Sequence, residues 1–537
     1  MLVFRDGRRQ VSGRALKEGL ASHLRPLACA SADPELLLDA LLRAGELECA
    51  LADAGVLGRQ AAAGITGDLA AAFVSGSPAP VPRLLESLGA IAVPESLQVS
   101  TPEGFAYYAL HPLAYAELAC DLELRADSVA VIGIRSIGTT LSAVVRAALA
   151  QRGLHADRIT VRPEGHPFDR RTEFDQAQRQ WLAGHQGRGS EFLVVDEGPG
   201  LSGSSFLSVG EALARHLVPR ERITFLTAHN PYVERFKAHN AAQRWAAFRH
   251  VAVPGWHEPP QPDALFVGNG EWRRHFCPDN SCWPACWTSM EAPKYLSPEG
   301  RLFKFEGYGR FGEARYQRAL ALADAGFSPP PLGRRNGFVE YPIVGSRGVP
   351  VLSASVLNRL AEYCAFRRAA FPADRPADLA FMTRLNFQEE FGAEPGLDDA
   401  LLQTQFPVIC DARMAPGEWL DVGGELLKID AISHGDDHFY PGPADIAWDL
   451  AGAIVEWQMD RATSDYFLDQ YRHAAGDDPR PRLPAYMLAY LAFRFAHGRM
   501  AAEAMGGTAE EPRLRADYQR YRALAESRLA SEAAIRS

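Results

Sequence analysis

The feature that most constrains this chain is an alternation, between about residues 95 and 230, of short apolar runs with helical stretches. Val129-Ala-Val-Ile-Gly-Ile, Ile159-Thr-Val, Phe192-Leu-Val-Val and Ile223-Thr-Phe-Leu are strand-length and nearly free of polar residues, while Leu141 to Ala150 and Val209 to His216 carry helical spacing. Strands without a polar face must be covered on both sides, so the pattern predicts an α/β fold built on a doubly wound parallel sheet. Residues 1–90 differ: they are Ala/Leu-rich with helical spacing, as in Glu35-Leu-Leu-Leu-Asp-Ala-Leu-Leu, and hold no candidate chemistry. They read as a helical packing or homodimerisation region, closed by Ser75-Gly-Ser-Pro-Ala-Pro-Val-Pro. The expected organisation is a helical region 1–90, an α/β domain 91–253, a Pro/Trp/Cys-rich connection 254–294 and a second α+β unit 295–537 that ends in long helices.

A chain of 537 residues exceeds one hydrophobic core, and 47% hydrophobic with 23% charged residues is an ordinary globular composition. A net charge of −10 without any Lys/Arg block argues against a nucleic-acid partner. The N-terminus lacks the apolar stretch of a signal peptide and no run approaches a bilayer span, so no membrane partner is expected. The eight scattered cysteines fit reduced thiols, and the protein reads as cytoplasmic.

The richest segment is Phe192-Leu-Val-Val-Asp-Glu-Gly-Pro-Gly-Leu-Ser-Gly-Ser-Ser-Phe. A buried strand runs into paired carboxylates, a Gly-rich turn and a helix start, where backbone N–H groups and hydroxyls suit a phosphate and the acids suit ribose hydroxyls. It resembles the donor motif of type I phosphoribosyltransferases. The resemblance implies that Asp196 and Glu197 hold the ribose of phosphoribosyl diphosphate and that Ser202, Gly203, Ser204 and Ser205 cradle its 5′-phosphate. Four residues, Gly198-Pro-Gly-Leu, separate the acids from Ser202 where that family has three. Upstream, Val131-Ile-Gly-Ile-Arg-Ser-Ile-Gly-Thr-Thr stands where the family binds diphosphate, implicating Arg135, Ser136, Gly138, Thr139 and Thr140. Between the two lies Arg162-Pro-Glu-Gly-His-Pro-Phe-Asp-Arg-Arg, where the family has a closing loop. Arg162 and Arg170, with His166 and Arg171, would stabilise the departing diphosphate, although a solvated surface loop fits the same residues. The implied reaction is Mg²⁺-dependent displacement of diphosphate at the anomeric carbon by an unknown small acceptor. Phe105, Tyr107, Tyr108 and His111 could stack on that acceptor, though core packing ranks ahead.

Residues 295–537 resemble aminoglycoside phosphotransferases and the wider kinase-like fold. Lys304 stands in a strand as their phosphate-binding lysine does, Glu313 falls where its partner would be, and Pro416 to Asp430 reads as the hairpin leading to a metal-binding aspartate. Asp445-Ile-Ala-Trp-Asp-Leu-Ala matches the stretch that follows. The resemblance implies ATP and Mg²⁺, the latter at Asp430. It also aligns Arg413 with the catalytic aspartate and Glu418 with an asparagine, leaving Asp411 two residues early. A kinase-like fold with altered or lost phosphoryl transfer is expected. His434-Gly-Asp-Asp-His lies too close to the next acid to be the catalytic loop and reads as a polar turn.

Cys277, Cys282 and Cys286 lack a second Cys/His pair at finger distance, so tryptophan packing between domains is expected there rather than zinc. A transferase-like domain joined to a kinase-like one resembles proteins of bacterial tellurium-resistance-type gene neighbourhoods, which implies assembly of a nucleoside-like metabolite. The alternative is a non-catalytic sensor of a phosphoribosyl or nucleotide ligand that signals through its C-terminal domain.

Overall fold

The computed structural model describes residues 1–537 except 6, 30–32, 254–258, 346–347 and 537, with the backbone alone for 531–536. Two compact units emerge, one comprising Gly7–Glu258 with Gly307–Arg310, the other Met1–Asp6, Pro259–Glu306 and Phe311–Ser537. Among the described residues no helix is long and apolar enough to cross a membrane.

The first unit contains the expected parallel sheet. Its strands β1 (Ser128–Ile134), β2 (His155–Val161), β3 (Glu191–Val195), β4 (Ile223–Thr227) and β5 (Arg249–Ala252) lie in the order β2-β1-β3-β4-β5. Every neighbouring pair is parallel. From β1 the chain moves one way to β2, then crosses back to β3 and onward. Right-handed crossovers therefore put the connection β1 to β2 on one face and the later connections on the other. Ala130, Ile132 and Ile134 share one face with Phe192, Val194, Ile223 and Phe225, the period of two expected of strands. That face is covered by Leu182 of helix α3 (Gln176–Gly187) and by Phe206, Val209, Leu213 and Trp245 from the later helices.

The helices of the N-terminal region belong to this unit. Helix α1 (Pro34–Asp53) and the helix Arg59–Ser75 pack against α2 (Ile137–Gln151), which links β1 to β2. Gly45 of α1 lies so close to α2 that an added Cβ would sit 1.9 Å from Thr140 Oγ1.

The second unit pairs an antiparallel sheet with a helical body. Strands β6 (Leu265–Phe266), β7 (Lys294–Leu296), β8 (Arg301–Phe305), β9 (Gly333–Arg335) and β10 (Phe338–Pro342) run in the order β6-β7-β8-β10-β9. A hairpin follows, β11 (Trp419–Val422) and β12 (Glu425–Lys428), turned by Gly423 and Gly424 at φ +67° and +99°. The body centres on Trp448, Leu450, Tyr486, Tyr490 and Phe495, all buried. Residues 259–294, expected as part of a connection, are packed within this unit, whereas 254–258 lie outside the described residues. Trp272 donates to Glu291 at 2.7 Å, Arg273 lies over Trp283 at 4.7 Å, and Trp287 meets Phe439 at 4.8 Å. These tryptophans thus serve the interior of one unit, not a junction between domains. Cys286 is packed beside Glu291 and Lys294, where burial pushes its thiol up to about 12.

Candidate functional sites

In the first unit the strand order reverses between β1 and β3, so the loops that follow them flank a crevice at the C-terminal edge of the sheet, where open α/β sheets take ligands. The loop after β1 turns through Ser136 at φ +117°, a backbone state that side chains resist. No side chain caps α2, although in its first turn the Gly138 amide is taken by Asp196 and the Thr139 amide by the Ser136 carbonyl. Gly138 is required sterically: a Cβ there would lie 2.6 Å from the Val195 carbonyl and 3.2 Å from Asp196 Oδ1. The side chains of Thr139 and Thr140 are a correction to expectation. Both are buried, Thr140 against Gly45 of α1, because the helix phase turns them inward. Only Ser136 and the rest of that turn's backbone remain for a diphosphate.

Asp196 and Glu197 follow β3 side by side and half-buried. Asp196 accepts from the amides of Glu197 and Gly138, and Glu197 Oε2 accepts from the Gly104 amide at 2.9 Å. Among the described residues neither acid hydrogen-bonds or pairs with a Lys or Arg side chain, although the Arg162 charge acts on Asp196. Burial pushes Asp196 up to about 7; it pushes Glu197 up to about 8, helped by Glu103 and Asp196. Beneath them Tyr115 donates to the Asp196 carbonyl at 2.6 Å. Phe105 and His111 are buried, His111 edge-on to Tyr308 at 5.3 Å, so these two aromatics are packing residues.

The turn expected to cradle a phosphate is engaged by the protein's own groups. Gly203 caps helix α4 (Ser204–Arg215) at φ +70°, against the ring of Phe236. The hydroxyls of Ser202 and Ser204 lie 2.8 and 2.7 Å from the carbonyl of Pro167 and 2.8 Å from each other, so at least one donates to that carbonyl and the other to it or to its neighbour. Pro167 sits at the turn of a small hairpin, strands Glu164–His166 and Asp169–Arg171, which carries Arg170. The expectation that both hydroxyls face the ligand is corrected to that extent: the hairpin lies over them. Ser205 is half-exposed on the first turn of α4.

Arg135 and Arg162 meet where the diphosphate was expected, on a residue that sequence reasoning missed. Arg162 Nε lies 3.1 Å from Asp53 Oδ1, its Nη2 bonds Asp53 Oδ2, and Arg135 Nη1 lies 3.2 Å from Oδ1. Arg162 Nη1 donates to the Arg135 carbonyl at 2.7 Å, and Nη2 to Cys49 Sγ at 3.3 Å. Nothing in the pattern around Asp53, the last residue of α1, marks it out. His229, just beyond β4 and packed on Gly198, was also missed, although its place after a strand could have revealed it.

In the second unit Lys304 of β8 bonds Asp430, donates to Ser433 Oγ at 2.6 Å and lies 3.2 Å from Glu306. Glu313 is not its partner. That carboxylate is half-exposed on helix α5 (Arg310–Asp324) and pairs with Arg334 at 3.0 Å, because Glu306, two residues along from Lys304, already supplies the buried acid. The loop at Asp411 is held by its backbone: Asp449 accepts from the amides of Asp411 and Ala412 at 2.8 and 3.0 Å. Fully buried Arg367 ties Ile409 and Ala431 together through their carbonyls, at 2.8 Å each. Ala412 and Asp430 both adopt positive φ, +68° and +53°.

Each acid of this site meets a cation. Lys428, wholly buried, lies 2.9 Å from Glu418 and 3.4 Å from Asp411; Arg413 lies 3.5 Å from Glu418 and 3.2 Å from His434 Nε2. Although burial opposes it, Lys304 and then His434 hold the Asp430 carboxyl well below its usual range. Among the described residues Asp411, Glu418 and His434 are the group whose ligand atoms lie within 4.8 Å of one another. The Lys428 ammonium already bridges two of them, and Asp430 is taken by Lys304, so the residues present do not fit a divalent cation at Asp430 or between these acids. In the neighbouring polar turn Asp436 is fixed by Arg318 at 3.0 Å and Arg5 at 3.2 Å, as a structural acid.

No protein-family model matches the chain, and no curated protein does. Solved structures similar to part of it include an aminoglycoside phosphotransferase from Alicyclobacillus acidocaldarius, 15% identical, covering 46% of this chain and 89% of its own at a TM-score of 0.31. Others are the choline kinase LicA from Streptococcus pneumoniae, at 14%, 45%, 89% and 0.30, and a choline/ethanolamine kinase family protein from Mesorhizobium loti, at 15%, 45%, 89% and 0.30. Likenesses of this degree carry no functional assignment.

Proposed function

We propose that the first unit is a phosphoribosyltransferase-type donor site. One observation carries the reading: at the point where the strand order reverses, two acids that among the described residues have no Lys or Arg bonded to them lie between the starts of α2 and α4. Asp196 and Glu197 would take the ribose hydroxyls, the Ser136–Gly138 turn with Arg135 and Arg162 the diphosphate, and the Gly203–Ser205 turn the 5′-phosphate. The Mg²⁺ that accompanies such a donor would neutralise diphosphate oxygens and ease their departure. The chain's own contribution is to hold the anomeric carbon in line with an acceptor and to stabilise charge on the leaving group through Arg135 and Arg162. The test is incubation of the full chain with labelled phosphoribosyl diphosphate, Mg²⁺ and a cell metabolite extract. Diphosphate release with a new ribosylated product is expected; failure to bind the donor at all would remove the assignment.

For the second unit a different observation favours nucleotide binding without transfer. Lys304 stands on β8, where the resemblance puts a phosphate-binding lysine, while Arg413 occupies the residue after the two amides anchored by Asp449, and a guanidinium cannot accept a proton at neutral pH. We infer a kinase-like ligand site that reports occupancy instead of turning over. Fluorescent ATP analogue binding, lost in Lys304→Met, with no phosphoryl transfer, is the expected result; turnover that depends on Asp411 would overturn it.

A further inference from the structure

Resting on the donor-site reading, we propose that the site is folded around surrogates of its own ligand: Asp53 stands in the place of the diphosphate against Arg135 and Arg162 and is exchanged for it on binding. Three observations on α1 carry this. First, Asp53 is the C-terminal residue of that helix, where the peptide carbonyls disfavour an acid, so its position does not serve the helix. Second, it gathers both arginines at once, one through a two-pronged contact of the kind guanidinium groups make with carboxylate or phosphate oxygens.

Third, the same helix supplies an internal comparison. Glu48 pairs with Arg158 at 2.8 Å, with side chains 4% and 8% exposed, a permanent structural bond. Asp53 is 27% exposed, and its arginines 14% and 24%, so an incoming anion can reach both partners and the released carboxylate can find water. The other end of the site repeats the arrangement with a weaker acceptor, since the Pro167 carbonyl lies against the Ser202 and Ser204 hydroxyls that a phosphate would otherwise engage. The consequence is an affinity set low enough for the charged product to leave. An arginine pair without Asp53 would hold diphosphate tightly, and its release would then limit turnover.

The experiment titrates inorganic diphosphate, in Mg²⁺, into the full-length wild type, Asp53→Asn and Asp53→Glu by calorimetry, with phosphoribosyl diphosphate titrated into the wild type alongside. Asp53→Asn keeps the shape and removes the charge, and is expected to bind diphosphate about tenfold more tightly. Asp53→Glu keeps the charge and should stay near the wild type. A purely structural Asp53 would give equal or weaker binding on substitution, and that result overturns the proposal while leaving donor binding by the wild type in place. No binding of either compound by any form overturns the donor-site reading with it. Should Asp53→Asn melt well below the wild type, Asp53→Ser is read against the same outcomes.

Discussion

Two acidic sites in one chain are managed in opposite ways. Among the described residues Asp196 and Glu197 accept from backbone amides and are pushed up to about 7 and 8, whereas Asp411, Glu418 and Asp430 each meet a lysine within the fold. The first pair carries an unsatisfied demand for positively polarised groups, which hydroxyls or a metal-bearing ligand can meet. The second set has met that demand internally. A cluster of acids is therefore not informative by itself; what decides its use is whether the protein has already supplied the counter-charge.

The sharpest way to break this contrast is to remove a counter-charge. Lys428→Met removes the nearest cation from Asp411 and Glu418 in a buried setting, leaving only Arg367 at 3.7 Å and Arg413 at 3.5 Å among the described residues, and is expected to destabilise the second unit by about 3–5 kcal/mol, read by urea unfolding followed through tryptophan fluorescence. A loss under about 1 kcal/mol would mean that the acids find water or protons at little cost. The converse substitution in the first unit, Asp196→Asn with Glu197→Gln, should weaken phosphoribosyl diphosphate binding at least about a hundredfold, near 2.7 kcal/mol, without lowering stability. Loss of the fold in that variant would show the pair to be structural.

Proton linkage gives a smaller effect. The free acids hold protons below about 7 and 8, so a ligand that needs both carboxylates should bind about tenfold more tightly at pH 8 than at pH 7 and level off above about pH 9. The same raised values mean that the folded unit keeps protons that the unfolded chain releases. This part of its stability is complete below about pH 4 and is lost as pH rises through 7 to 8. Melting curves of wild type and the double variant should therefore converge in acid and separate toward pH 8, with the variant the more stable. Parallel curves would contradict the assignment of those protons. Smallest of all, Glu313→Gln should change stability by no more than about 0.5 kcal/mol and leave ATP-analogue binding untouched, because its carboxylate is half-exposed on Arg334 and away from Lys304. A binding defect there would restore Glu313 to the site.

The parallel sheet was legible because its strands have no polar residues to spare, and the two loops because Gly138, Gly203 and the paired acids are local signatures. The hairpin Trp419–Val422 and Glu425–Lys428 was legible from the resemblance of Pro416 to Asp430 to the phosphotransferase hairpin. What could not be read was long-range pairing. Asp53 lies 82 residues from Arg135, and Lys304 126 from Asp430, and no local pattern states which acid a given cation will reach. Helical phase was the other blind spot: Thr139 and Thr140 follow the loop in sequence yet turn beneath α1. The tryptophans around 272–287 were legible as packing residues, but not the unit they pack within.

Asp449 grips the amides of Asp411 and Ala412, never their side chains, and Arg367 grips the carbonyls of Ile409 and Ala431. In evolutionary terms this separates the loop's shape from its chemistry. At position 413 the bonds that shape the loop do not involve the side chain, which meets Glu418 and His434 instead, so an exchange of Arg413 alters the charge at the tip and leaves those bonds in place. The loop is a fixture into which different tools fit, and the tool now mounted is a cation.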